Sequence, residues 1–206
     1  LSALRRIDLA ITASFDVRLV LGAILDEIMS QLKVNAAGVL LLNPHIQTLE
    51  YTAGRGFRTA EIEKTRMRVG EGHAGKVARE RKTLAFPDLT EATLSIRTEL
   101  VKAEGFAAYF GVPLVAKGQL KGVLEVFHRS PLYVEQGWLD FVEALAGEAA
   151  IAIDGAQMFE SSQRSYTDLT LAYETTLEGW ARALDLRIRE TERHTERVTE
   201  LTVRLA

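Results

Sequence analysis

From Val134 to Ala206 the chain contains no proline, and from Val142 its side chains follow alternating spacings of three and four. The series is Val142, Leu145, Ala149, Ala152, Ala156, Phe159, Gln163, Tyr166, Thr170, Tyr173, Leu177, Trp180 and Leu184, polar only at Gln163 and Thr170. That is a heptad seam, and it demands a long helix. Residues 138–157 can bury this stripe against a sheet of the same domain. Beyond about residue 160 the sheet should have ended, so Phe159, Tyr166, Tyr173 and Leu177 need another surface. The most economical one is the same helix of a second subunit. A homodimer through terminal helices is therefore expected. The polar seam positions weaken such a pairing but set its register, and they suit a helix that holds two arrangements. An apolar helical pattern is still running at Leu205 with no Gly, Pro or cap to end it. The stretch from Thr176 is thus expected to open a second domain that continues past Ala206.

Composition narrows the partners. An apolar fraction of 47% supports a real core, and 26% charged residues with a net charge of −3 give no basic surface for a nucleic acid. No apolar run reaches the ~18 residues of a membrane span. There are no cysteines, which removes disulfides, thiolate zinc sites and thioether-linked chromophores together. A cytoplasmic location is expected. The opening Leu1-Ser-Ala-Leu-Arg-Arg lacks an initiator Met and a signal-peptide pattern and is expected to be a cut from a longer protein.

Residues 1–14 have the spacing of a linker helix. Ser14 and Asp16 offer N-cap oxygens, and Val17, Val20, Leu21, Ile24, Leu25, Ile28 and Leu32 mark an amphipathic helix to about Lys33. Residues 37–42 and 48–53 read as antiparallel strands around Asn43-Pro44-His45. A helical turn is expected at 59–64, a strand at 66–69, a helix at 74–81 and a strand at 83–86. A loop follows, with a helix from Arg97 to Glu104. Residues 106–116 and 120–128, joined at Lys117-Gly118, form the clearest hairpin. Strands lie between helices at both ends, which argues for an α+β layer: a sheet covered on one face by terminal helices.

Four pieces in this order resemble a GAF domain over roughly residues 15–160. They are the helix Asp16-Val-Arg-Leu-Val-Leu-Gly-Ala-Ile-Leu-Asp, the segment Arg68-Val-Gly-Glu-Gly-His-Ala-Gly-Lys-Val-Ala78, the strand end Phe86-Pro-Asp88, and Tyr109-Phe-Gly-Val-Pro-Leu114 followed by Gly122-Val-Leu-Glu-Val-Phe127. The resemblance implies a six-stranded antiparallel sheet with a ligand-sized cavity on one face and dimerising helices on the other. It implies a sensory module whose pocket would be lined by Phe86, Leu94, Ile96, Arg97, Phe106, Tyr109, Phe110 and Glu125. In strand 106–116, Ala108, Phe110, Val112 and Leu114 share one face, while Ala107, Tyr109, Gly111 and Pro113 share the other. Glu125 stands between Leu124 and Val126, so its carboxylate must be solvated or paired.

The glycines at 70, 72 and 75 read as a tight turn, because Lys76-Val77 does not complete a phosphate loop. Several GAF subfamilies are disfavoured. Chromophore attachment needs a Cys, the cyclic-nucleotide signature Asn-Lys-Phe-Asp-Glu is missing, and residues 89–112 contain no His for haem. His73 reads as a surface or capping group, and neither His45 nor His128 reads as a ligand. The small molecule is unknown, and no cofactor is assigned to this part.

Thr176-Leu-Glu-Gly-Trp-Ala-Arg-Ala-Leu-Asp-Leu-Arg187 and Glu190-Thr-Glu-Arg-His-Thr-Glu-Arg-Val-Thr199 resemble the opening of an HD-GYP domain. That resemblance implies a cyclic di-GMP phosphodiesterase built on a centre of divalent iron or manganese. His194, in His194-Thr-Glu-Arg-Val198, matches the first metal-binding histidine, with Arg193 where Gly is common. Glu190 lies one turn earlier on the same helix face. The remaining ligands would follow Ala206, so this chain is expected not to be a hydrolase by itself. The expected divisions are 1–14 linker helix, 15–160 sensor, 161–178 signalling helix and 179–206 incomplete HD-GYP start. Two alternatives are the sensor half of a histidine kinase, with His194 on a phosphoacceptor helix, and a ligand-free dimerising GAF domain. A sulfoxide reductase is disfavoured, since it needs cysteine nucleophiles.

Overall fold

The computed structural model describes residues 17–89 and 98–205, with the side chains of 98–100, 185, 188, 190–192 and 205 outside that description. The expected linker helix at 1–14 also lies outside it. In chain order the elements are α1 (Val17–Leu32), β1 (Ala36–Asn43), β2 (Thr48–Arg55), a 3-10 turn (Ala60–Lys64), β3 (Arg66–Arg68) and α2 (Gly72–Glu80). They continue with β4 (Leu84–Phe86), α3 (Thr98–Glu104), β5 (Ala108–Ala116), β6 (Gln119–His128) and α4 (Gln136–Leu205). The chain divides into two compact units between Met158 and Phe159.

The first unit is the α+β layer expected from the sequence: one antiparallel six-stranded sheet in the order β3-β2-β1-β6-β5-β4. Strand alternation sorts its side chains into two cores. On one face, Ala37, Val39, Ala108, Phe110, Val112, Leu124 and Val126 meet the buried stripe of α1 and the first turns of α4, from Val142 to Ile153. On the other face, Leu40, Leu49, Met67 and Val123 receive Ala74, Val77 and Ala78 of α2. Beside them, Ala36, Phe106, Tyr109 and Phe127 form a separate aromatic cluster. The central hairpin closes on Lys117 and Gly118, whose φ values of 50° and 76° are the pair a two-residue primed turn requires. Helix α2 stops at Arg81, which takes the left-handed conformation and donates its N–H to the Val77 carbonyl.

The hairpin tip is tied to α4. The Lys121 ammonium lies 2.6 Å and the Lys117 ammonium 3.0 Å from the Asp154 carboxylate. Lys121 also donates to Gln157 Oε1 at 3.2 Å. These two cations hold the Asp154 carboxyl below the usual carboxylate range.

The second unit comprises the rest of α4. Helix α4 shows no break at 160/161 or at Gly179, so the sequence-based divisions there do not coincide with helix ends. Its large apolar side chains are exposed, including Tyr166 at 73%, Tyr173 at 65% and Trp180 at 68%.

Candidate functional site

The centre of the site face is built across three strands. Strand register places Glu125 of β6 directly between Gly38 of β1 and Gly111 of β5, with Gly54 of β2 beyond Gly38. The carboxylate-bearing residue is 0% exposed. Neither cross-strand neighbour has a side chain, so the sheet floor is open on both sides of Glu125. Aromatic rings occupy that space. A Cβ at Gly111 would meet Tyr109 Oη at 2.5 Å and Val77 Cγ2 at 2.9 Å, and one at Gly38 would meet the Phe57 ring at 3.4 Å. The Tyr109 phenol therefore lies along its own strand toward the Glu125 row, while Phe57 lies over the β1 side.

The next row of the sheet is Ala36, Phe127, Tyr109 and Phe86. Phe127 stacks on Phe106 at 4.6 Å between ring centroids and meets Tyr109 edge-on at 5.4 Å. The His73 ring, on the first turn of α2, sits 4.6 Å from Phe86 and 5.2 Å from Tyr109. It is thus part of the aromatic wall, which corrects its reading as a surface or capping group. The glycine turn lets α2 approach the strands closely enough for this contact, because a Cβ at Gly75 would meet the Arg68 carbonyl oxygen at 2.6 Å.

The structure brings Phe86, Phe106, Tyr109 and Glu125 to one face. Among the described residues expected in the pocket, Phe110 is the exception. It points to the opposite face, fully buried under the helices with its ring 4.8 Å from Trp138, because successive strand residues alternate sides. Leu94, Ile96 and Arg97 lie outside the described residues. An open cleft of about 430 Å³ lined by Arg81, Lys82, Thr83, Val112, Pro113, Val115, Glu143 and Gly147 contains none of the expected residues. His45 is an exposed loop residue. His128 accepts or donates through Nδ1 to neighbouring Ser130.

A buried ionic knot holds one end of the site. Glu104, at the end of α3, is 0% exposed. Its carboxylate accepts from the Arg58 N–H at 2.9 and 3.0 Å, from the Thr59 N–H at 2.7 Å and from the Thr59 hydroxyl at 2.8 Å. Arg129 Nη2 donates to it at 3.0 Å and to the Gly56 carbonyl at 3.1 Å. Arg129 Nε donates to the Glu104 carbonyl, and its guanidinium lies 5.1 Å from the centre of the Phe106 ring. Burial pushes the Glu104 carboxyl upward, but the donors from Arg58, Thr59 and Arg129 outweigh it and leave the carboxyl below its ordinary value. The knot joins the loop after β2, the end of α3 and the end of β6. Sequence reasoning missed it, since the groups that meet the Glu104 side chain lie 25 to 46 residues from it and Arg129 reaches 73 residues back to Gly56.

The geometry of one sheet face carrying an aromatic wall and a buried carboxylate, with helices packed on the other face, is now joined by a family match. The GAF domain family matches residues 16–153, two thirds of the chain.

The chain belongs to the GAF domain family.

Solved GAF structures share the fold at low identity. The GAF domain of a phosphoenolpyruvate-protein phosphotransferase from Acinetobacter is 19% identical, covers 78% of this chain and 96% of its own, and superposes with a TM-score of 0.66. The corresponding domain from Coxiella burnetii is 20% identical, covers 78% and 95%, and gives 0.68. A GAF domain/HD domain protein from Geobacter sulfurreducens is 16% identical, covers 70% and 96%, and gives 0.59. No curated protein matches this chain. The GAF assignment supports a sensory and regulatory module. Among the described residues, no helix is long and apolar enough to cross a membrane.

The metal expectation concerns a different part of this GAF-containing chain. His194 is exposed on α4, and the Glu190 side chain lies outside the described residues. Among the described residues, no group of three or more metal-binding side chains is assembled.

Proposed function

We propose that this chain is the input module of a dimeric signalling protein, in which the GAF domain reads a small molecule and controls a C-terminal HD-GYP cyclic di-GMP phosphodiesterase. The observation that carries the reading is the division of labour within α4. Its first turns form part of the sensor core, while its later turns leave a long apolar stripe exposed. A helix built this way is suited to pass a change at the sheet into a paired stalk. The ligand would sit on the face of Tyr109, Phe86, His73 and Glu125. The Geobacter GAF domain/HD domain protein offers a precedent for the architecture, and the His194-Thr-Glu-Arg-Val198 segment supports the same output. In such a site His194 and Glu190 would supply two ligands, and bound iron or manganese would activate water for attack on the phosphodiester.

The test compares this 206-residue chain with the full product of the gene that encodes it. Each is given manganese or iron(II) and cyclic di-GMP, and the linear dinucleotide is measured. The expected result is turnover by the gene product alone. Turnover by this chain, or none by the gene product, overturns the reading. Mass spectrometry of small molecules that co-purify with the folded chain identifies the input.

A further inference from the structure

The exposed half of α4 carries information about how it is covered. From Phe159 to Leu184 the seam runs Phe159, Gln163, Tyr166, Thr170, Tyr173, Leu177, Trp180 and Leu184, and no charged residue stands in it. The spacing returns at Val198 and Leu201, both about half exposed. At 1.5 Å rise per residue the Phe159–Leu184 stripe is roughly 40 Å long. Tyr166, Tyr173, Leu177, Trp180 and Leu184 are each 46–73% exposed. With the remaining seam side chains, covering them on two copies would bury on the order of 1,000 Å² or more, the scale of a specific interface.

The polar groups on this stripe choose the partner. The Thr170 hydroxyl already donates to the Tyr166 carbonyl at 3.0 Å, and the flanking Thr167 and Thr176 hydroxyls donate to Gln163 and Ala172. These three can be covered without losing a hydrogen bond. Gln163 differs, because its amide has both donors and an acceptor and needs a complementary group opposite. A second Gln163 is such a group, and it faces the first only when two helices run parallel and in register. Antiparallel pairing sets the amide against an aromatic layer, and a parallel shift of one heptad sets one Gln163 against Thr170 and the other against Ala156, so only the unshifted parallel pair matches both amides. The flanks agree. In parallel pairing Ser162 faces Thr167, Leu169 faces Glu174 and Thr176 faces Ala181, with no like-charge contact. Antiparallel pairing brings together the flank that carries Glu160 and Glu174. Arg164 and Arg182 are engaged on their own helix by Glu160 and Glu178.

We infer that the exposed half of α4 is covered by the same half of a second copy of this chain, parallel and in register, with the Gln163 pair as the register lock. This rests on the dimer proposed above and specifies its direction and alignment.

The chain lacks cysteine, so single introduced thiols report the pairing cleanly. Sedimentation equilibrium measures association, and mild oxidation of the full chain carrying Thr170→Cys or Thr175→Cys measures proximity. The expected result is a dimer whose disulfide forms at least about tenfold faster at position 170, on the seam, than at position 175, which faces outward. A dimer in which position 170 does not cross-link overturns the parallel register and leaves the dimer standing. A monomer at tens of micromolar overturns both. Gln163→Leu is expected to raise the melting temperature of the stalk while giving mixed oligomers. A Gln163→Leu chain that remains a uniform dimer with unchanged cross-linking overturns the role of Gln163.

Discussion

Replacing Glu104 by Gln tests whether the buried ionic knot holds the sensor together. The substitution keeps the shape but turns one oxygen into an amide group. Oxygen Oε1 receives the Thr59 N–H and hydroxyl, and Oε2 receives Arg129 Nη2, with the Arg58 N–H shared between them. Whichever way the amide turns, it presents N–H to at least two donors. Each lost charge-assisted bond costs about 1.5–3 kcal/mol, and the side chain of Arg129, only 18% exposed, loses its counter-charge. A loss of about 3–5 kcal/mol is expected, in line with other broken buried ion pairs. For a domain with roughly 5–15 kcal/mol in total, this lowers the melting temperature by about 10–15 °C. The pH dependence gives a second readout. Because the folded-state carboxyl sits below its unfolded value, its contribution is complete above the ordinary carboxylate range and fades as pH falls through that range toward the folded pKa. Urea unfolding of wild type and Glu104→Gln from pH 7 downward should therefore show two curves that converge on acidification. A gap under about 1 kcal/mol at pH 7, or a gap that stays constant into acid, would refute the argument.

Three further outcomes are expected. Gly111→Val pushes a Cβ into Tyr109 Oη and Val77; it should cost about 1–3 kcal/mol in chemical denaturation and abolish retention of any small molecule that co-purifies with the wild-type chain. Phe127→Ala removes the ring that touches Phe106, Tyr109 and Phe57, and should cost about 3–5 kcal/mol in the same assay. Asp154→Asn releases the hairpin tip from α4, so amide exchange across residues 150–158 should quicken. Since Lys121 and Lys117 depress the Asp154 pKa, that difference should be full at neutral pH and shrink as pH falls through the carboxylate range.

The helices and the hairpin were legible because their signals are local. The stripe of α1, the alternation in β5 and the two-residue turn at Lys117-Gly118 each state a period or a dihedral requirement within a few residues. The same alternation separates Tyr109 from Phe110, and so excludes Phe110 from the pocket face once the helix side is known. It also places Phe127 on the same face as Glu125, a signal present in the strand itself. His73 was misjudged because a residue at a helix start is usually solvated. Only the close approach of α2, allowed at Gly75, sets its ring against Phe86. Phe57 follows a turn and carries no periodic signal at all.

What the chain decided alone is the preference of each segment: where helices run, which side chains share a face, and that the heptad pattern outlasts the sensor. These follow from backbone periodicity and turn chemistry, which act between near neighbours. Tertiary structure decided the pairing of Glu125 with two glycines on separate strands, the assembly of the aromatic wall, and the meeting of Glu104 with Arg58, Thr59 and Arg129. Those depend on strand register and on burial that excludes water, and both are settled only when distant segments pack against one another.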